Sequence, residues 1–578
     1  MNNETVVKAF NRIADLMEID GESGFRVNSY RRAARTLKDV TTDIATLARE
    51  ERLTELQGIG KGIAEKIQQL INEGKIDVLT ELEAKIPEGL PVLLEIQGLG
   101  PKKIAQFHDQ LGVTGLDDLK KSIDSGKLAE LKGMGKASVQ RITEGIKFLE
   151  SSGGRSRLGE SLICGEALVE KVRQIPGTGR IEIAGSVRRG KETSGDIDIL
   201  CETSTPEAVV EAFTSLDEVI RILAAGSTKG SVIAALPNGK EIQVDLRAIE
   251  PDAFGAALQY FTGSKEHNVK VREAAVKRGW KLNEYGLYDG DERIAGKDEA
   301  EIYAKLDMPC YPAELREDRY EFTKDIDYSE LITVDDMRGD LHMHTVASDG
   351  KNTIEEMAEA AKARGYDYIA ICDHSRSSTI ANGLSIERME QHIKDIRSAN
   401  DRVDGIEILV GTECDILTDG SLDYPDDLLA QTDWVVASIH AAMGPGGSGK
   451  LDPTERTLAA INNKYVCQIA HPTGRLINKR AAMDLDFDTI ARAAIDTGTA
   501  LEINASWYRL DLKDVHVRQV LDLGATIVIN TDAHKTDSFD FMRFGVMTAR
   551  RAATPKSAVL NAGTLDNLRE FVQHKRDR

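Results

Sequence analysis

"RIEIAGSVRRGKETSGDIDILCE", residues 180–202, places two strand patterns around a Gly-Ser turn and a basic loop. On a strand, residues i and i+2 share a face. Asp196 and Asp198 therefore project together, while Ile197 and Ile199 enter a core. Two carboxylates held side by side repel each other unless a cation lies between them. Downstream, "KEIQVDLRAI" (240–249) alternates so that Gln243, Asp245 and Arg247 share a face, which makes Asp245 the third carboxylate. Three carboxylates holding two hard divalent ions are the parts required for in-line phosphoryl transfer. Gly185, Ser186 and Arg189 supply a turn and a guanidinium fork for phosphate oxygens. An isolated Asp-x-Asp is ordinarily a solvated strand face, but here a Gly-Ser-x-Arg-Arg-Gly run precedes it and a partner strand follows. These residues by themselves read as a nucleotidyltransferase centre.

Around this centre the chain is long and acidic. At about 100–200 residues per domain, 578 residues predict three to five domains. No apolar run approaches the roughly 18 residues that span a bilayer, so no membrane partner is expected. The opening "MNNETVVKAFNRIADLMEID" is an amphipathic, acidic helix pattern rather than a secretion signal. The 6 cysteines, at 164, 201, 310, 372, 414 and 467, show no C-x-x-C spacing. That usage suits reduced thiols and a cytoplasmic location better than a disulfide framework or a thiolate zinc site. The net charge of −21 excludes a generic DNA-coating protein. Residues 1–150 carry 22 basic and 24 acidic side chains, so local distribution rather than total charge decides whether DNA is a partner.

Ahead of the centre, one unit recurs: "LQGIGKGIAEKI" (56–67), "IQGLGPKKIAQF" (96–107) and "LKGMGKASVQRI" (131–142). Each runs apolar-x-Gly-apolar-Gly into a helical pattern, giving the pairs Gly58/Gly60, Gly98/Gly100 and Gly133/Gly135. Such a turn permits positive φ and close approach, and the helix start offers N–H groups to an anion. A phosphate backbone fits, because these contacts need no sequence and little positive charge. Lys61, Lys102, Lys103 and Lys136 flank the turns, and "RVNSYRRAARTLKDV" (26–40) adds a basic face with Tyr30, Arg31, Arg32 and Arg35. The repeats resemble helix-hairpin-helix motifs, which grip DNA non-specifically.

Behind the centre, "GDLHMHTVASDG" (339–350) opens a second pattern in a chain with only 11 histidines. Seven apolar runs end in metal-capable residues, with helical patterns such as "TIEEMAEAAKARG" between them. Alternating strands and helices predict a parallel barrel, whose C-terminal strand ends carry the active site. His342, His344, Asp349, His374, Glu413, His440, His471, Asp532 and His534 give nine ligand-type residues, enough for up to three ions. Glu502 and Asn504 close the one of the seven runs that supplies none of these nine. Imidazole and carboxylate without thiolate favour Zn2+, Mn2+ or Fe2+. Asp373 reads as an orienting residue beside the ligands. Arg475 is either a phosphate contact or solvated surface, and Cys372 and Cys414 read as strand packing.

"GSVRRGKETSGDIDIL" and "YFTGSKEHNVKVREAAVKRGWKLNEYGL" (260–287) resemble the palm and thumb of family X DNA polymerases. The histidine set resembles the PHP (polymerase and histidinol phosphatase) domain, with all nine family ligand positions filled. The resemblance implies a multidomain α/β chain: a lyase-like helix-hairpin-helix domain (1–85), a second helix-hairpin-helix domain (86–152), a palm (153–252) and a thumb (253–317). A linker (318–335) and a distorted TIM-like (β/α)7 barrel (336–578) complete it. It also implies that Asp196, Asp198 and Asp245 hold two Mg2+ or Mn2+ ions, and that Ser186, Arg189 and Gly195 bind the triphosphate. Tyr260, Phe261 and Gly263 would line the sugar pocket, Asn268 would touch the base edge and Arg272 the template. Lys66 falls where lyase-active members carry a Schiff-base lysine, but Gly62 stands where they commonly have lysine, which lowers local cationic density. The implied activity is repair synthesis on gapped or nicked DNA with a 5′-phosphate, using deoxynucleoside triphosphates, by a monomer. The barrel would act as a 3′–5′ exonuclease, with abasic endonuclease or 3′-phosphatase action alongside. The competing reading is a small-molecule phosphatase with a DNA-binding first half, which would not need "YFTGS".

Overall fold

A computed structural model of the chain describes residues 3–22, 24–39, 44–56, 58–87, 89–96, 99–135, 138–140, 142–143, 146, 155–236, 239–443, 451–480 and 482–578. They form two compact units: Met1–Ser156 with Asp217–Ala225 and Gly230–Gln243, and Arg157–Leu216 with Gly226–Lys229 and Val244–Arg578. Among the described residues, no helix is long and apolar enough to cross a membrane.

The first unit is mainly helical. Helices Asn3–Ile19, Gly24–Asp39, Lys61–Glu73 and Pro101–Leu111 share one apolar cluster that includes Phe10, Leu37, Ile67 and Phe107. The glycine turns follow one geometry. Gly58 and Gly133 have φ of 89° and 84°, a region in which side chains are strained. Gly60 and Gly100 are the extended N-caps of the Lys61–Glu73 and Pro101–Leu111 helices, and the carbonyl of Gly135 accepts from the N–H groups of Ser138 and Val139. Gly98 and Lys136 lie outside the described residues. Tyr30 departs from expectation. Its ring is 5% exposed and packs edge-on against Phe10 at 5.7 Å, so it belongs to the helix–helix core rather than to a DNA-facing surface. Neighbouring Arg31 pairs with Asp15 and Glu18.

In the second unit, Thr178–Ile183 pairs antiparallel with Asp196–Thr203, Ile183 opposite Ile199, against the helix Leu158–Arg173. Helices Phe254–Thr262 and Lys265–Lys277 follow, the latter capped by Ser264, whose hydroxyl accepts from the His267 N–H at 3.2 Å. Three short antiparallel strands, Lys281–Asn283, Gly286–Asp289 and Glu292–Ala295, complete that region.

Seven parallel strands then run in sequence order: Gly339–Met343, Tyr368–Ile371, Glu407–Asp415, Trp434–Ser438, Gln468–Ile469, Ala500–Asn504 and Ile527–Asn530. The last returns to the first: the His344 N–H donates to the Ala533 carbonyl at 2.8 Å, and the Leu341 N–H to Asn530 Oδ1 at 2.9 Å. Outer helices start on side-chain caps that satisfy otherwise orphaned N–H groups: Thr353, Asp452 and Thr564 form capping boxes, and Ser385 and Asp486 single caps. Leu341, Tyr368, Ala370, Trp434, Val436 and Leu568 fill the interior away from the histidines.

Residues 318–335, expected as a charged linker, are fastened at several points. Glu321 is 3% exposed between the His267 ring (3.1 Å) and the backbone N–H groups of Asp318 and Arg319. Arg319 pairs with Asp514 and Lys324 with Asp522. The segment lacks periodicity because its order comes mainly from side-chain pairing, its regular structure being limited to short 3-10 turns at Tyr328–Glu330 and Val334–Asp336.

Candidate functional site

The alternation read along Asp196–Thr203 holds in space: Ile197 and Ile199 are fully buried, whereas Asp198 is half-buried and Asp196 exposed. Asp245, on the Glu241–Ile249 strand, is 6% exposed and meets Lys229 Nζ at 2.5 Å. Burial first, then the charges of Asp196 and Asp245, push the Asp198 carboxyl up to about 7, against the opposing pull of Arg247 and Lys229. The three carboxylates are thus gathered closely enough to interact, and their mutual repulsion is the chemistry of a divalent-cation site. Gly185 explains its own identity: φ is 63°, and a Cβ would stand 2.5 Å from Asp198 Oδ2. Lys229, the first residue of the Lys229–Ala235 strand, carries no sequence signal of its own, because a single lysine at a strand start is ordinarily solvated.

The "GSVRRG" turn meets "YFTGS" directly. Arg188 Nη1 donates to Thr262 Oγ1 at 2.6 Å and its fork grips Glu299, which Arg316 holds from the other side. Arg189 Nη1 donates to the Thr262 carbonyl. Gly263 (φ 70°) lies where a Cβ would come 3.1 Å from that nitrogen. Tyr260 and Phe261 stack edge to face at 5.0 Å, with the Arg247 guanidinium 4.2 Å from the Phe261 ring. Ser186 and Gly195 are half-buried beside the turn. Asn268 is differently occupied: its Nδ2 donates to the Tyr260 carbonyl and its Oδ1 accepts from Gln259, both at 2.7 Å. Arg272 is exposed, with Nε on the Asn268 carbonyl at 3.3 Å.

All nine ligand-type residues of the barrel converge. They fall into overlapping sets whose donor atoms lie within 4.8 Å: His344/Asp349/His374/His534, His342/His471/Asp532, His342/His344/Glu413 and His374/Glu413/His440. Glu413 is the hub, with Oε1 near His471 (3.0 Å) and His440 (3.4 Å), and Oε2 near His374 (2.9 Å), His342 (3.4 Å) and His344 (3.6 Å). Burial opposes ionisation of Glu413 and Asp532, yet the surrounding imidazoles hold both carboxyls well below the usual range. Burial lowers the His344 pKa to about 4, helped by His534 and His374, whereas His534, despite burial, is raised to about 9 by Asp349 and Asp532. His344 Nδ1 and His471 Nδ1 are buried with no hydrogen-bond partner among the described residues. Such nitrogens cost free energy unless a ligand takes them, so the donor set fits metal ions.

Residues behind the donors fix their orientation. Glu502 accepts from His342 Nδ1 (2.8 Å), Gln468 and the His471 backbone N–H (2.6 Å). Asp415 takes His440 Nδ1 at 2.6 Å. Asp373 lies outside the donor sets, and its oxygens accept from Thr345, Ser348 and His392. Strand alternation could have found Asp415, two positions beyond Glu413; His392, from a surface-helix pattern, could not have been found that way. Arg475 is neither phosphate contact nor solvated surface. It is 9% exposed, donates to the Arg509 and Leu510 carbonyls and pairs with Glu192 at 2.7 Å. Arg509 is the cation nearer the donors, 3.7 Å from Asp532, with Nη1 buried and without a hydrogen-bond partner among the described residues. Cys372 and Cys414 are fully buried and their thiols raised by burial, Cys414 to about 12, which leaves them as packing.

Comparison with known proteins agrees along the chain. Residues 1–76 match the helix-hairpin-helix domain, 90–147 the SAM-like helix-hairpin-helix tandem, 160–243 the DNA polymerase beta palm, 257–317 the DNA polymerase beta thumb and 340–506 the PHP domain. A DNA polymerase/3′–5′ exonuclease PolX of Bacillus subtilis is 39% identical over 575 residues, covering 99% of this chain and all of the relative. A probable phosphatase of Shewanella sp. strain MR-4 is 31% identical over 242 residues, 40% of this chain and 91% of the relative, and one of Thermoanaerobacter sp. strain X514 is 27% identical over 247 residues, 41% of this chain and 95% of the relative. The phosphatases share only about the barrel's length, whereas the polymerase/exonuclease aligns from end to end, and the chain belongs to the family X DNA polymerases that carry a C-terminal PHP domain.

Proposed function

We propose that the chain fills short gaps in DNA by template-directed nucleotidyl transfer in its palm and removes 3′-terminal nucleotides in its barrel. The observation that carries this reading is the coexistence, in one chain, of a complete three-carboxylate cluster behind a Gly-Ser turn and a complete nine-donor cluster at barrel strand ends.

In the palm, Asp196, Asp198 and Asp245 would hold two hard divalent ions, for which all-carboxylate oxygen donors suit Mg2+ or Mn2+. Such ions, when bound, supply charge neutralisation for an in-line displacement at phosphorus. The chain itself supplies the rest. Gly185 lets the turn approach Asp198, and Ser186 and Arg189 offer a hydroxyl and a guanidinium to the triphosphate. The Tyr260–Phe261 pair makes an apolar wall for the sugar, stiffened by Arg247. Because the Asn268 amide is engaged on both atoms, base contact there requires that amide to exchange a partner.

In the barrel, the mixed imidazole–carboxylate set would hold up to three ions, with Zn2+, Mn2+ or Fe2+ as the fitting class; bound there, they supply an activated water and stabilise a leaving oxygen. Glu502 and Asp415 hold the Nδ1 protons of His342 and His440, which leaves each Nε2 turned to Glu413 as a donor. Arg509 is positioned to take a phosphate oxygen through Nη1.

Substrate DNA enters as a gapped or nicked duplex with its 5′-phosphate on the helix-hairpin-helix turns, bound by a monomer. Lys66, on the helix that begins after Gly60, is the candidate Schiff-base lysine for removing a 5′ sugar phosphate. Borohydride trapping on an abasic end that survives Lys66→Ala would remove that role. The main test uses one gapped duplex with a labelled primer, scored for extension with deoxynucleotides and for Mn2+-dependent shortening without them. A chain that shortens the primer equally well without its barrel histidines would defeat the exonuclease assignment.

A further inference from the structure

Arg189 is built into a network that ends in the barrel. Its Nε donates to Glu317 Oε1 at 3.0 Å and its Nη1 to the Thr262 carbonyl, while Nη2 has no partner among the described residues. Arg551, the last residue of the barrel helix Met542–Arg551, donates through Nη1 to the same Glu317 oxygen at 3.0 Å and to the Arg189 carbonyl at 2.6 Å. Its Nε donates to Asp514 at 2.8 Å, and Asp514 pairs in turn with Arg319 at 3.0 Å. Lys191 Nζ lies 3.3 Å from the other Glu317 oxygen. One carboxylate thus joins a guanidinium beside the triphosphate turn to a guanidinium of the barrel.

Burial makes these contacts strong. The side chains of Arg189, Glu317 and Arg551 are 13%, 9% and 4% exposed, so water screens them poorly. A lone Glu317 would orient Arg189 but also repel a triphosphate. With Arg551, Lys191 and Arg319 around it, its charge is more than compensated, so orientation comes without a net negative field. The backbone is locked as well: a Cβ on Gly190 (φ 64°) would stand 3.2 Å from Met547 on the same barrel helix.

We propose that Arg551 of the barrel is a positioning residue for nucleotide binding in the palm: by anchoring Glu317 it fixes the Arg189 guanidinium so that Nη2 serves the incoming triphosphate. The barrel is then a structural part of the polymerase site as well as a separate hydrolase. The inference rests on reading Arg189 as a triphosphate ligand, and the test separates the two.

Gap filling by the full-length chain is followed at varied deoxynucleotide concentration in Arg189→Gln, Glu317→Gln, Arg551→Gln, Arg551→Lys and the double variant Glu317→Gln/Arg551→Gln. Arg189→Gln should raise KM by about a hundredfold, and Glu317→Gln or Arg551→Gln by about tenfold with kcat changed no more than about twofold. The double variant should be no worse than the worse single, since both break one connection. Arg551→Lys should recover part of the loss, and primer shortening by the barrel should be unchanged in both Arg551 variants. A purely structural role would lower kcat through the active fraction and leave KM alone. If Arg189→Gln raises KM while Glu317→Gln and Arg551→Gln do not, the positioning role is overturned; additive effects overturn it too. If Arg189→Gln leaves KM unchanged, the reading beneath it fails first. Should Arg551→Gln fail to fold, Glu317→Gln, which keeps size and hydrogen-bonding capacity, decides alone.

Discussion

The palm cluster and the barrel cluster solve the problem of gathering carboxylates in opposite ways. In the palm, three aspartates lie close enough to interact, and burial together with the charges of Asp196 and Asp245 pushes Asp198 up to about 7 against the pull of Arg247 and Lys229. In the barrel, Glu413 and Asp532 sit among imidazoles and are held well below their ordinary range. The palm therefore sets carboxylate against carboxylate, whereas the barrel sets its carboxylates among imidazoles. Cation binding relieves repulsion in the first and displaces protons in the second. A site that must admit a triphosphate with each turnover suits the first arrangement, and one that retains its ions suits the second.

The largest effect should separate the two outright. Asp196→Ala/Asp198→Ala should lower primer extension by at least about a thousandfold while leaving shortening intact, and His342→Ala/His344→Ala should do the reverse. Parallel gels on one labelled gapped duplex read both; loss of both activities in either variant breaks the comparison.

Next, the barrel should depend on the residues behind its donors. Glu502→Gln, which weakens the acceptor for His342 Nδ1, should reduce metal affinity by about 10- to 100-fold, measured by chelator competition on the folded chain. Extension should be unaffected.

The sharpest contrast is in stability without metal. Asp198→Asn relieves repulsion and should stabilise the chelated protein by about 1–2 kcal/mol. Glu413→Gln strands the imidazoles that it pairs and should destabilise by about 3 kcal/mol. Thermal unfolding in chelator that gives both shifts the same sign would refute the electrostatic distinction.

A smaller effect belongs to Glu299, which is held between Arg188 and Arg316. Burial opposes its ionisation, but Arg316 and Arg188 lower its carboxyl to about 2 from an ordinary 4.5. A depressed carboxyl gives its full stabilisation above its ordinary value and loses it as pH falls towards the folded value. Unfolding temperature should thus fall more steeply below about pH 4.5 in the parent than in Glu299→Gln, by a few degrees. Parallel slopes would show that the Arg188–Glu299–Arg316 group contributes no linkage.

Much of this was legible in the chain. Period-two alternation put Asp196 and Asp198 on one face and Ile197 and Ile199 in the core because a strand has no other way to dispose them. The nine donors were legible because a parallel barrel brings its strand ends to one rim. Tyr30 was misread because a helix pattern gives a face but not its neighbour, and Phe10 covers that face. The sequence leaves two readings open at Arg475 because spacing does not tell a phosphate from a carbonyl as the partner of a guanidinium.

The sequence by itself determined the elements, the repeated glycine turns and the residues able to bind cations, since these follow from local periodicity, φ preference and ligand chemistry. Only the tertiary structure decided that Glu413 is the hub of the barrel site, that Glu502 and Asp415 orient its histidines, and that Arg551 reaches Arg189 through Glu317. These are pairings between residues far apart in the chain. Their strength comes from burial, which removes the water that would otherwise screen them, and burial exists only once the fold has closed.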